Sequence, residues 1–175
     1  DAVTLSNAIQ RERRVSCEQL MSATLNRIDE INPKYNAIIL LRDREYLLQR
    51  AKECDEELQS PLLIDGDGGD DSTTKPCKDA RDGRHCLNKK LGWLHGVPIA
   101  IKDVSNAKGL LTTMGGSPLF YSAGGKDARF LPATKNDPYV ENIVRAGAIV
   151  IGKTNTPEGG LGSNTFNEIW GQTLN

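Results

Sequence analysis

The chain has 175 residues, enough for one domain with a real core, and its charge is nearly balanced, with 22 Lys and Arg against 23 Asp and Glu. No basic stripe points to nucleic acid, and no acidic tail points to a charged partner. The longest apolar runs fall well short of the ~20 residues that span a bilayer, and no charged segment followed by an apolar one opens the chain, so neither a membrane span nor a signal peptide is expected. The first residue is Asp1 rather than Met, so the missing signal says little about compartment.

Taken in order, the first forty residues read as helical. Ser6 caps a short helix through Arg14. Ser16 and Gln19 fit a capping box, in which each side chain satisfies the other's free backbone amide. From there Cys17, Leu20, Met21, Leu25, Ile28 and Ile31 recur at three- and four-residue spacing and give one apolar stripe. Asn32 and Pro33 are expected to stop this helix. Residues 36–41 suit a short strand. A second amphipathic helix follows from Asp43, with Leu47, Ala51, Cys54 and Leu58 on one face. These elements carry no visible chemistry and read as a packing layer over a sheet.

Residues 60–91 are polar and rich in Gly and Asp, and read as a surface insertion. The opening Asp65-Gly66-Asp67 has the look of a calcium loop, but its twelfth position is Pro76, where a bidentate glutamate is required. Calcium is therefore rejected. The four cysteines, Cys17, Cys54, Cys77 and Cys86, include no Cys-x-x-Cys pair and accompany no His-rich cluster, so no zinc site is expected. Cys17 and Cys54 fall on apolar helix faces, where free cysteine behaves as a small hydrophobe. Cys77 and Cys86 share the polar loop and would pair as a disulfide in a secreted protein. The expected compartment is the cytoplasm, with secretion the alternative that goes with that bridge.

The run from Trp93 to Ile101 is mostly apolar, is opened by Gly96 and Pro98, and ends on Lys102 and Asp103. Such runs are what buried strands look like. A lysine at the end of one either pairs with a carboxylate or acts as a base. Consecutive strand residues point to opposite faces, so Asp103 need not be the partner of Lys102. Lys108 to Gly116 is small and hydroxyl-rich, a loop type that lets backbone amides approach a substrate. Residues 122–136 read as polar connection. Asp137 caps a helix with Pro138 at its first position, Val140, Ile143 and Val144 on its buried face, and Gly147 at its end.

Residues 148–151 then form a second buried strand leading into Gly152-Lys153-Thr154-Asn155. Strand, helix, strand spacing implies a mostly parallel sheet, with both carboxyl ends on the edge where α/β sheets place their sites. A phosphate loop is excluded, because residues 148–151 between Gly147 and Gly152 are an apolar strand rather than a phosphate cradle. Residues 158–175 are rich in Gly, Asn and Thr and show little periodicity.

Several of these pieces stand in a recognisable order. Gly96-Val97-Pro98 with Lys102-Asp103, then Thr112-Thr113 with Gly115, then Ala146-Gly147-Ala148 with Gly152-Lys153-Thr154-Asn155 and Glu158, resemble the N-terminal part of the amidase signature family. Gly162 to Asn167 and Gly171 to Asn175 resemble its broad-substrate amidases. The resemblance covers all but residues 60–91. It implies hydrolysis of carboxylic amides by a Ser–cis-Ser–Lys triad, in which a deprotonated lysine is the base. By position Lys102 matches that lysine, while Lys153 does not and reads as structural. Gly115, Gly116, Ser163 and Thr165 are carried over as candidates for lining the substrate.

A lysine titrates near 10.4, so serving as base near neutral pH requires that its charged form be disfavoured by roughly 4 kcal/mol. Burial at a strand end supplies a penalty of that kind. The family's glycine-rich paired-serine motif is expected beyond Asn175, since none of Ser105, Ser117, Ser122 or Ser163 lies in such a motif. The expected fold is therefore α/β: the N-terminal part of the amidase signature fold, a mixed sheet covered by helices on both sides, incomplete in this chain. Residues 1–175 are expected to be one segment of a single amidase domain, inert and poorly stable alone because its open sheet edge exposes apolar surface. No cofactor and no metal is expected. The expected partners are a small-molecule amide and the rest of the same protein, with oligomeric state open. The alternatives are the glutaminase subunit of a transfer-RNA-dependent amidotransferase, which Thr156-Pro157-Glu158 and Asn164-Thr165-Phe166 resemble less, or a non-catalytic interaction module of the same fold.

Overall fold

The computed structural model describes residues 1–59, 91–116 and 131–174. Strand β3 (Ile149–Thr154) has apolar side chains on both faces: Ile149 and Ile151 join one core cluster, Val150 the other. A strand buried on both sides belongs in the middle of a sheet. Accordingly β1 (Ile38–Leu41) pairs with one edge of it, antiparallel, and β2 (Pro98–Lys102) with the other, parallel, giving the order β1-β3-β2. The sheet is mixed, and the register of β2 and β3 sets Ile101 opposite Lys153 and Lys102 opposite Thr154.

One face is covered by α1 (Ala2–Gln10), α2 (Cys17–Tyr35) and α3 (Arg44–Gln59). Ile9, Cys17, Met21, Leu25, Leu47, Ala51, Cys54 and Leu58 pack there against Val97, Ile149 and Ile151. The face read from the spacing of α3 is the face that is buried. On the other side Val140 of α4 (Pro138–Arg145) joins Ile101, Ala107, Leu110 and Val150 in a smaller cluster. Helices thus cover both faces, as the sequence implies.

Several local readings need correction. The first helix starts four residues before Ser6 and ends before Arg14. Asp1 caps it by accepting from the Thr4 amide at 2.9 Å, while the Ser6 hydroxyl donates to the Trp93 carbonyl at 2.6 Å. The capping box of Ser16 and Gln19 is present in α2. That helix does not stop at Asn32 and Pro33 but runs to Tyr35. It ends at Asn36, which takes the left-handed conformation, while the Asn32 side chain accepts from the amides of Ala37 and Ile38. A polar side chain that caps the exit thus lies inside the last turn rather than after it. Pro138 opens α4, but the Asp137 carboxylate accepts from the Asn106 amide at 2.8 Å instead of capping its own helix.

Residues 158–174 are also more ordered than their composition suggests. They form a 3-10 turn (Glu158–Gly160) and a small hairpin of β4 (Phe166–Asn167) and β5 (Gly171–Gln172). Of the expected insertion, Leu91 is half-buried against the main core; the rest, with Cys77 and Cys86, lies outside the described residues. Among the described residues no helix is long and apolar enough to cross a membrane.

Candidate active site

The parallel pairing of β2 and β3 brings the two lysines named by the sequence to the same end of the sheet, with opposite fates. Lys102, the last residue of β2, is exposed. Lys153, one residue before the end of β3, is completely buried. The expectation that burial acts on Lys102 is therefore corrected for these residues: the desolvated amine is that of Lys153. Strand alternation explains the difference, since Asp103, the residue after Lys102, turns inward and is itself 0 % exposed.

Lys153 Nζ lies 3.4 Å from Asp103 Oδ1 and donates to the carbonyls of Ser105 (2.7 Å) and Leu111 (3.1 Å) and to Thr112 Oγ1 (2.9 Å). An ammonium has three protons, and three oxygens take them. Burial pulls the Lys153 pKa below its ordinary value, and the adjacent Asp103 carboxylate opposes that pull. Asp103 in turn accepts from the amide and hydroxyl of Thr113 and from the Gly115 amide, and its own amide donates to the Thr154 carbonyl. The pair fastens the loop after β2 to the end of β3. Two charges out of water need such dense bonding to be tolerated at all.

A second set of bonds fastens the hairpin to the same edge. Asn155 Nδ2 donates to the Gly171 carbonyl (3.1 Å) and to Thr173 Oγ1 (3.0 Å), while its Oδ1 accepts from Asn167 Nδ2 at 2.8 Å. Asn167 Oδ1 accepts from the amides of Ile169 and Trp170, and the Trp170 indole donates to Thr113 Oγ1 at 2.9 Å. That last bond joins the hairpin network to the Lys153–Asp103 pair. Among the described residues Thr156 Oγ1 is a buried hydroxyl without a hydrogen-bond partner.

The other candidates divide. Gly115 and Gly116 both have positive φ and lie against the segment after β3: a Cβ on Gly115 would fall 2.3 Å from the Pro157 carbonyl oxygen, and one on Gly116 would fall 2.7 Å from Ile169 Cγ1. The missing side chain lets backbone meet backbone at Gly115 and makes room for the Ile169 side chain at Gly116, which is a packing reason for glycine at both. Ser163 is exposed ahead of β4. Thr165 is half-buried, and its carbonyl accepts from the Thr173 amide. Among the described residues neither hydrogen-bonds Lys102. Thr113, Asn155, Asn167 and Trp170 are residues of this edge to which the sequence reading gave no role, and it left the partner of Asp103 open. The bonds that join them to the rest of the edge span 10 to 57 residues, beyond the reach of a local pattern.

Comparison with known proteins places this geometry. The sequence profile of the Amidase family matches residues 72–175. An acylamidase of Rhodococcus erythropolis is 31% identical over 92% of this chain, and a glutamyl-tRNA(Gln) amidotransferase subunit of Thermoanaerobacter pseudethanolicus is 28% identical over 94% of it. In both cases the chain spans 26% of the relative's length. A bacterial aryl acylamidase of the amidase signature enzymes superposes with a TM-score of 0.70 at 20% identity, the match covering 100% of this chain and 29% of the acylamidase. The match is to the fold at the structural level and to the family at the sequence level. This chain belongs to the amidase family, the amidase signature enzymes.

Proposed function

We propose that the whole protein, of which residues 1–175 are one segment of a single domain, hydrolyses carboxylic amides with Lys102 as the general base. The observation that carries this reading is the separation of the two lysines. Lys153 is buried and bonded to its full capacity, so it has no freedom to exchange protons with a substrate site. Lys102 stands exposed at the carboxyl end of β2, and its sequence neighbour Asp103 is committed to Lys153 rather than to it. In the triad implied by family membership, the lysine takes a proton from the relay serine and that serine takes one from the nucleophile. The amide carbonyl is attacked, the amine leaves with a returned proton, and water then hydrolyses the acyl-serine. The two serines are supplied by the remainder of the protein. So is the cover that turns an exposed amine into a desolvated base. Gly115, Gly116, Ser163 and Thr165 are proposed to border the acyl pocket from this side.

A test is Lys102→Ala in the whole protein. Loss of a general base lowers kcat by about 10²–10⁴-fold, and unchanged hydrolysis would remove Lys102 from the mechanism. A second reading is supported by the amidotransferase subunits among the relatives: the same chemistry applied to glutamine, with ammonia passed to a partner protein. Ammonia release from glutamine that depends on added partner proteins, with no turnover of simple amides, favours that reading over a free-standing amidase.

A further inference from the structure

Away from the strand ends, the turn before β2 meets the last turns of α3, and three different donors converge there. One atom each from Cys54, Glu57 and His95 lies within 4.8 Å of the other two. Cys54 and His95 are buried, and Glu57 is half-buried. Residues 54 and 57 are three apart on a helix and so share a face. The surrounding bonds sort out the lone pairs. His95 Nε2 is 2.9 Å from the Cys54 carbonyl oxygen. A carbonyl only accepts, so Nε2 carries the ring proton and Nδ1 presents its lone pair when the ring is neutral.

That lone pair faces Glu57 Oε2 at 3.8 Å. The other carboxylate oxygen, Oε1, accepts from Arg50 at 3.0 Å, which leaves Oε2 turned to the histidine. Two acceptors therefore face each other beside a thiol. A divalent cation held among the three would take one lone pair from each. Histidines that ligate metals characteristically donate their second ring nitrogen to a carbonyl or carboxylate, as His95 does here.

We propose that Cys54, Glu57 and His95 form a binding site for a divalent cation of the zinc class, one that clamps α3 to the turn leading into β2. Sulfur, imidazole nitrogen and carboxylate oxygen are the donors such an ion takes, at about 2.0–2.3 Å. Donors around it then stand roughly 3.5 Å apart, so atoms that now lie within 4.8 Å of one another draw closer on binding. The Cys54 thiol releases its proton to solvent as the ion bonds to sulfur, and the thiolate and carboxylate together neutralise the dication. Cys17 places a second thiol beside the site: a Cβ on Gly96 would fall 2.1 Å from Cys17 Sγ and 3.7 Å from Cys54 Cβ. The sequence expectation of no zinc site rested on spacing, and spacing hides a site whose histidine lies 41 residues from its cysteine.

The test is a cobalt titration of the whole protein after chelator treatment, in a non-thiol reductant. The expected result is one ion per chain with a thiolate-to-cobalt charge-transfer band. That band disappears in Cys54→Ser. Affinity drops at least about tenfold in Glu57→Gln, whose half-exposed position preserves the fold, and both band and affinity persist in the Cys77→Ser/Cys86→Ser double variant. A wild-type protein with no such band overturns the proposal. So does undiminished affinity in Glu57→Gln, or loss of the band in the double variant. If Cys54→Ser does not fold, the other two variants decide alone.

Discussion

Lys102 and Lys153 end neighbouring strands, and their substitutions are expected to register in different assays. Lys102 is exposed, and exposed side chains without special contacts change stability by about 0.5 kcal/mol or less. In residues 1–175 alone, Lys102→Ala should therefore unfold in urea at nearly the midpoint of the unsubstituted segment, while hydrolysis by the whole protein falls. Lys153→Met does the reverse. It leaves Asp103 as a buried charge whose cation is gone, and removing one partner of a buried pair costs about 3–5 kcal/mol. Asp103 keeps its bonds from Thr113 and Gly115, so the lower end of that range is expected. Adding Asp103→Asn to Lys153→Met should restore part of the loss, because the orphaned charge is then absent. A Lys153→Met protein as stable as wild type would show that the pair is not needed to hold the loop after β2.

At the scale of elements, what could be read in the sequence was what depends on near neighbours. The capping box of Ser16 and Gln19 spans three residues, and the apolar faces of α2 and α3 repeat at helical spacing, so both were legible. The second cap of α2 was not. Asp55, on α3, accepts from the amides of Cys17 (2.7 Å) and Glu18 (3.0 Å) across 38 and 37 residues. The hairpin of residues 166–172 escaped notice for the same reason: it is held by the side chains of Asn155, just past β3, and of its own Asn167 rather than by an apolar pattern. The burial of Lys153 in place of Lys102 turned on a pairing of Asp103 across the sheet that no local pattern encodes. The two caps yield a comparison. Ser16→Ala should cost about 1 kcal/mol, the usual value of a lost N-cap. Asp55→Ala should cost more, about 1.5–3 kcal/mol per charge-assisted hydrogen bond, because it also cuts the link between α2 and α3. Urea midpoints of the two variants test the order, and equal losses would mean that Asp55 contributes only as a local cap.

For the molecule as a whole, the buried titratable groups set a pH window for stability in the metal-free, reduced protein. Burial pushes the thiol of Cys54 up from its ordinary 9.0 to about 12, and that of Cys17 upward as well, with the Asp55 carboxylate adding to the effect on Cys17. Between those values the unfolded chain has released thiol protons that the folded chain still holds. The unfolded state then binds fewer protons, and stability falls as pH rises from about 9 toward about 12. Lys153 works in the opposite sense. Its folded pKa lies below the ordinary 10.5, so the unfolded state holds a proton the folded state gives up more readily, and stability from this group rises with pH up to that value. Among the described residues, two thiols against one amine leave the alkaline slope negative. On the acid side burial lowers His95 below 6.5, so below that pH the unfolded state binds the extra proton and stability declines. The optimum thus falls between about 6.5 and 9. Unfolding free energies measured in urea across pH 5–11, on the order of six points, should trace that dome, and Cys54→Ala should flatten its alkaline limb while leaving the acid limb in place. A wild-type protein whose stability is level or rising above pH 9 would mean that the thiols are not held protonated by the fold.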